Sequence, residues 1–214
     1  MIKVDLHTHS TASLEGGITA DEYNKALFDG IVSCVAITDY KTVEFAQKLK
    51  GELKEMIIVG QEIMTSYGEM IGLFLKSTIP SNLEPIEAAK RIKAQGGLVY
   101  IPHPLNKQKH GMQIDVIDKL VDYIDIVEIG NGRSFLQYRY SQMLVWANIN
   151  HKAVAASSDA RNKWGLGRTL TLLSEVPTKD TLVKLLLNSV PVVKMPDIIE
   201  LIYTRITRIL NRYS

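Results

Sequence analysis

Cysteine is almost missing from this 214-residue chain: Cys34 is the only one. No internal disulfide can form, which excludes a disulfide-stapled scaffold and fits a reducing compartment. An excess of one charge is missing too. Lys and Arg number 25 against 23 Asp and Glu, leaving +2. That balance creates no field that would make nucleic acid the main partner. No stretch approaches the roughly 20 apolar residues of a membrane span. No apolar leader precedes the motif DLHTHS. The expectation is a cytoplasmic protein with no membrane partner. Gly/Ser-rich linkers, low-complexity segments and internal repeats are also lacking. What is there, 46% hydrophobic and 22% charged residues, suits one globular domain spanning 1–214. Its tail, 196–214, has Ile198, Ile199, Ile202, Ile206, Ile209 and Leu210 at helical spacing. It is expected to be a helix docked on the body of the domain.

The informative pattern is a repeated one. Short apolar runs keep ending in a residue capable of chemistry. Ile2–Leu6 leads into His7, Val32–Thr38 into Asp39 and Tyr40, and Met56–Gly60 to Glu62. Leu98–Pro102 leads into His103, Ile124–Ile129 to Asn131, and Ala153–Ser157 to Asp159. Runs of this length, rich in Val and Ile, read as buried strands. Helical segments fall between most of them. Thr19 and Glu22 form a capping box before Tyr23–Asp29, with Gly30 to stop it. Thr42 precedes Val43–Lys50, with Gly51 beyond. Pro85 opens a helix to about Gln95. Ile114–Val121, Phe135–Asn148 and Lys179–Leu187 also read as helices. Met64 to Leu75 reads as a hairpin turning at Ser66-Tyr67-Gly68. Strands alternating with helices predict an α/β fold, a distorted (β/α)7 TIM-like barrel with its active site at the C-terminal ends of the strands.

His7 and His9 are alternate residues of an extended segment, so both imidazoles face one way and can share an ion. Imidazole suits zinc, iron and manganese. With DLHTHS stand ITDY, GQE, YIPHP, VEIGNGR, SSDAR and GLGRT. Their order and spacing resemble the polymerase and histidinol phosphatase (PHP) domain family, over Ile2 to about Val192, and in particular its small stand-alone members. The resemblance implies hydrolysis of phosphoesters with a metal cluster in a distorted β/α barrel. It implies His7, His9, Glu62 and Asp159 as ligands of a first metal. Glu62 would bridge to a second metal bound by His103.

The departures from the family pattern matter equally. At the positions of its third metal site this chain has Glu15, Tyr40 and Arg161. Many members have a further histidine after the hairpin, in the second site; here that position aligns with Ile71. One or two divalent ions (zinc, manganese or iron) are therefore expected, with Glu15 a remaining ligand. Two readings stand side by side for Arg161, Tyr40 and Lys41. They replace the third metal as groups that grip phosphate and take part in catalysis, or they repair a decayed site. Asn131, Arg133 and Arg168 are candidate substrate-binding residues, although Asn-Gly also explains a turn. Asp39 is expected to orient a ligand. His110 is expected to approach the mouth of the site, His151 to be a favourable charge beyond a helix ending at Asn150 and not a ligand, and Trp146 to lie in the core. Trp164 is a candidate pocket residue.

The function this predicts is metal-dependent hydrolysis of phosphate esters by an activated water, on a small phosphorylated substrate, with nucleic acid the lesser option. The alternative is a catalytically degenerate barrel serving as a scaffold or RNA-associated protein. Amide hydrolysis is a third reading, opposed by YIPHP and SSDAR. The sequence is silent on oligomeric state.

Overall fold

Alternation of inward and outward side chains along short Val- and Ile-rich segments dictates the architecture. The structure is a computed structural model that describes residues 1–134, 138–196 and 202. In chain order it runs β1 (Ile2–Thr8), α1 (Ala20–Phe28), β2 (Cys34–Ile37), α2 (Glu44–Leu53), β3 (Ile57–Thr65), β4 (Gly68–Leu73) and α3 (Pro85–Ala94). Then come β5 (Leu98–Ile101), α4 (Ile114–Lys119), β6 (Ile126–Asn131), α5 (Tyr138–Ile149), β7 (Ala153–Ser157), β8 (Leu170–Leu173), α6 (Leu182–Leu186) and β9 (Val190–Val192). The sheet order is β7-β6-β5-β4-β3-β2-β1-β8-β9. Strands β1–β2–β3 and β5–β6–β7 pair in parallel. β4 is antiparallel to both of its neighbours, as are β8 and β9 to theirs.

The expected barrel is present as a nearly closed, mixed sheet. Its seam lies between β7 and the β1–β8 pair and is closed by side chains as well as main chain. His9 N–H donates to Ala160 O at 2.8 Å. Ser158 N–H donates to Asp5 Oδ1 at 3.0 Å. The Thr171 hydroxyl bonds both Ala156 N–H and Ala156 O at 2.9 Å. Buried groups that would otherwise lack ladder partners are satisfied in this way.

Two apolar clusters flank the sheet. Val35, Ile37, Ile57, Val59, Val99, Ile101 and Val127 pack outward against Tyr23, Ala46, Leu49, Ala88, Ile92 and Met143 of the helices. Val4, Leu6, Ala36, Ile58, Ile71, Tyr100, Ile126 and Ala155 fill the interior together with Leu182 and Leu186 of α6.

Local signals set most helix ends. The Thr19–Glu22 capping box forms in both directions. Pro85 opens α3, and Gly96 follows it at φ +76°. Gly51, expected from the sequence to lie beyond a helix ending at Lys50, is instead inside α2. The helix runs on to Leu53, which packs against the outer cluster, and ends at Lys54 with φ +54°. α4 and α6 are shorter than their predicted spans. The start of the predicted helix Phe135–Asn148 lies outside the described residues, as does the predicted terminal helix apart from Pro196 and Ile202.

Cys34 is buried in β2, its thiol 3.6 Å from Glu55 O, and burial pushes its pKa up to about 12. The native protein at pH 8 should therefore resist thiolate-directed reagents and release one equivalent of signal only after unfolding. Rapid labelling of the native form would contradict the described packing.

Candidate metal centre

Both histidines of DLHTHS reach the barrel interior because β1 carries an extra residue. Asp5 to Thr8 spans three residues where the partner segment Val35–Ile37 spans two. The irregularity resets the in-out alternation. Val4 and Leu6 face inward below it, Thr8 turns outward to the Tyr23 hydroxyl at 2.9 Å, and His7 and His9 face in. β6 has a similar shift between Glu128 and Gly130, which lets Glu128 and Asn131 both take part in the site.

The donor atoms converge tightly. His7 Nε2 and His9 Nε2 are 3.2 Å apart. Glu62 Oε2 is 3.3 Å from the first and 3.1 Å from the second. Asp159 Oδ1 is 3.6 Å and 3.5 Å from them. The other oxygen, Glu62 Oε1, faces His103 Nε2 at 3.0 Å. A tetrahedral ion with bonds of about 2.0–2.2 Å needs donors roughly 3.3–3.6 Å apart, so these spacings fit one. A second observation agrees. Asp159 Oδ1 is buried and accepts no hydrogen bond in the structure, an unusual state for a carboxylate oxygen. His7, His9, Glu62, Asp159 and His103 thus form two candidate ligand groups that share His7, with Glu62 and His103 in one and His9 and Asp159 in the other.

Outer groups fix the imidazoles. Ser13 Oγ gives its one proton to Asp39 at 2.7 Å, so its contact with His9 Nδ1 at 3.4 Å requires the hydrogen on Nδ1. That tautomer leaves His9 Nε2 free to bind a cation. Asp39 plays the orienting part expected of it. Glu128 accepts from His7 Nδ1 at 3.4 Å, Tyr100 Oη at 2.8 Å, His103 N at 2.6 Å and Asn131 Nδ2 at 2.9 Å. The backbones of His103 and Asp159 lie at φ +29° and +53°, strain that surrounding bonds must hold in place.

Electrostatics follow from this crowding. Burial alone would lower the His7 pKa, but Glu62 and Asp159 outweigh it and hold His7 well above its ordinary value. Burial opposes ionisation of Glu62 and Asp159, yet cationic neighbours hold both well below the carboxylate range: chiefly His7 for Glu62, and Lys109, His7 and Arg161 for Asp159. Glu69, buried and beside Glu62, is pushed up to about 9.

Asp159 and His103 of the cluster line a cavity of about 760 Å³, while His7, His9 and Glu62 are fully buried. Arg161 crosses one wall. Its Nη1 donates to Glu15 Oε2 at 2.5 Å and its Nη2 to Tyr40 Oη at 3.1 Å, with Asp159 Oδ1 3.5 Å from Nη2. Tyr40 stacks on His9, ring centroids 5.0 Å apart. Glu15, counted as a ligand from the sequence, is held by Arg161 instead, because the guanidinium stands between it and the imidazoles' partner Asp159. Lys41, Arg133 and His110 line the cavity, and Lys41 is exposed at its rim.

Three sequence candidates lie elsewhere. Asn131 is fully buried beneath Lys109, whose ammonium it accepts at 2.8 Å, so it positions Lys109 and Glu128 and does not line the cavity. Arg168 is half-buried in a turn whose Gly167 N–H caps Asp5 at 3.1 Å, outside the cavity lining. Trp164 is half-exposed with Lys163 over its ring, also away from the lining. Trp146 is half-buried against the outer cluster and donates to Asp118 at 2.7 Å. His151 is exposed just beyond α5.

Sequence reasoning missed Lys109, Glu128 and Glu69. Lys109 Nζ lies 2.6 Å from Asp159 Oδ2, and burial lowers its pKa against the pull of that carboxylate. Glu128 and Glu69 had a readable signal, each being a lone acid in an otherwise apolar strand. Lys109, in the polar loop KQKHG, had none.

No family model matches the chain. Among solved structures it resembles PsfC from Pseudomonas syringae, with TM-score 0.68, 13% identity and 98% of each chain covered. It also resembles a two-domain protein from Bacteroides vulgatus containing a predicted PHP-like metal-dependent phosphoesterase, with TM-score 0.64 and 18% identity. That match covers 80% of this chain and spans 58% of the length of the two-domain protein. These likenesses show the fold to be a distorted β/α barrel. At the sequence level the chain is 33% identical over 179 residues to the uncharacterized protein MJ0417 of Methanocaldococcus jannaschii, covering 82% of this chain and 72% of that one. It belongs to the same family as MJ0417.

The Arg161–Glu15 pair is testable without any substrate. Arg161→Met should cost about 2–3 kcal/mol in urea unfolding of the metal-free protein, below the usual loss for a broken buried pair because the Glu15 side chain is 26% exposed. Adding Glu15→Gln should cost less than the sum of the two single changes. Strict additivity would show that the two side chains do not interact.

Proposed function

We propose that this chain is a metal-dependent phosphoesterase acting on a small phosphorylated molecule, with a reduced metal cluster. One observation carries the reading: two imidazoles and two carboxylates converge, with spacings of 3.1–3.6 Å, and one of them, Asp159, lines a cavity that also presents Lys41, Lys109, Arg133 and Arg161. His7, His9, Glu62 and Asp159 would hold a divalent cation, and His103 would share a second with Glu62. When bound, such a cation supplies Lewis-acid polarisation of a phosphoryl oxygen and lowers the pKa of a water.

The rest of the work falls to side chains of the chain itself. Arg161, braced by Glu15 and Tyr40, keeps a guanidinium fixed beside Asp159, where it offsets charge that grows on the phosphoryl oxygens. Its Nε–H has no hydrogen-bond partner in the structure. Lys41 and Arg133 supply further positive charge around the cavity, and Lys109 supplies it next to Asp159. Ser13 and Glu128 keep the His9 and His7 rings turned, with Nε2 toward the shared point. A cavity of about 760 Å³ is the size of a small-ligand pocket.

The experiment is metal analysis of the purified protein combined with a panel of phosphomonoesters and phosphodiesters in manganese and in zinc. Chelation should abolish turnover and readdition should restore it. His9→Ala and Asp159→Ala should lose both bound metal and turnover while keeping the far-ultraviolet spectrum of the fold, since neither side chain belongs to the apolar core. Arg161→Lys should keep part of the activity, as a point charge cannot supply the planar fork.

A non-catalytic barrel is the second reading. Its support is that Lys109 and Arg161 already neutralise Asp159 without a cation. Protein that binds no divalent ion and hydrolyses none of the panel would favour it.

A further inference from the structure

β4 carries a single charged residue, Glu69, and sends it inward. Register pairs Glu62 with Ile71 and Met64 with Glu69. Glu69 and Ile71 therefore share a face, and Glu69 stands one alternation nearer the barrel mouth. Ile71 is fully buried in the interior apolar cluster and offers no donor atom. Glu69 is only 4% exposed and its side chain borders the cavity.

Its carboxylate pairs with His103, whose Nε2 lies 3.4 Å from Glu69 Oε2. That same nitrogen is 3.0 Å from Glu62 Oε1. Both spacings are edges that a cation with bonds of about 2.0–2.2 Å would span. A carboxylate this deeply buried, sharing its one imidazole partner with a second carboxylate, is costly unless a cation joins it.

The main chain holds Glu69 in this place. Its N–H donates to His110 O at 2.9 Å, and it bridges to Gly111 as well as pairing with Met64. Gly111 permits this approach, since a Cβ there would meet His103 O. One loop thus pins Glu69 and passes directly over His103.

We propose that Glu69 is a ligand of a second divalent cation, completing with Glu62 Oε1 and His103 Nε2 a site distinct from the His7–His9–Asp159 group. The proposal rests on the metal-centre reading above and assigns to it a ligand that neither His103 nor Glu62 implies. Two carboxylates and one imidazole make an oxygen-rich donor set, suited to manganese.

The test is titration of metal-free protein with Mn²⁺ by calorimetry, with free Mn²⁺ followed by electron paramagnetic resonance. Wild type should take up two equivalents. Glu69→Gln should keep one at unchanged affinity and bind the other at least about tenfold more weakly, a loss that removal of even an outer partner can produce. Glu69→Asp should fall between the two. His9→Ala should weaken the first equivalent, which tells the sites apart. Thermal melts of the metal-free variants establish folding, and Glu69→Asp makes the comparison if Glu69→Gln does not fold. Two equivalents of unchanged affinity in Glu69→Gln would overturn the proposal and leave the metal-centre reading standing. A single equivalent in wild type, unaffected by Glu69→Gln, would do the same. No uptake by wild type would overturn both.

Discussion

Glu62 is the constraint on which the rest of the site depends. Its Oε2 faces His7 and His9 while its Oε1 faces His103, so one fully buried carboxylate ties β1, β3 and the loop after β5 to a single point. Burial makes that charge expensive, and His7, His9 and His103 offset it. The barrel exists, in this sense, to bring strand ends together around an ionised group that water cannot reach. The antiparallel strand β4 adds a further acid, and the loop pinned to it supplies Lys109.

Positioning is achieved by small departures from regular structure. The irregularities in β1 and β6 change which side chains point inward at the depth where chemistry is wanted. Below them the interior is apolar; above them it is imidazole and carboxylate. Left-handed backbone at His103 and Asp159 aims two further groups at the same place, at a cost held by the hydrogen bonds of Glu128 and the seam. Ser13 and Asp39 set the tautomer of His9, and Glu128 orients His7 and the backbone of His103. These outer partners turn five side chains into a preorganised set.

Arg161 is bonded to both Glu15 and Tyr40. Those two side chains therefore brace one guanidinium beside Asp159. A guanidinium held in this way supplies fixed charge and directional donors. The same geometry explains why Glu15 is not gathered into the ligand groups.

Much of this was legible in the sequence. Apolar runs ending in His7, Glu62, His103 and Asp159 announced strands with reactive ends. The Thr19–Glu22 box and Pro85 marked helix starts, and Ser66-Tyr67-Gly68 marked a hairpin. All of these are local, encoded within a few residues by periodicity, capping or turn chemistry. Tertiary structure alone decided the rest. Lys109 meets Asp159 from 50 residues away, Asn131 is buried beneath Lys109 and does not line the cavity, and Gly51 stays helical because Leu53 finds a core to pack on. Glu69 and Glu128 read as odd acids in apolar strands until register and bulges turned them toward the histidines. Local patterns fix which backbone forms and which face is apolar, but charges cancel through space, and only the closed barrel brings those charges within reach of one another.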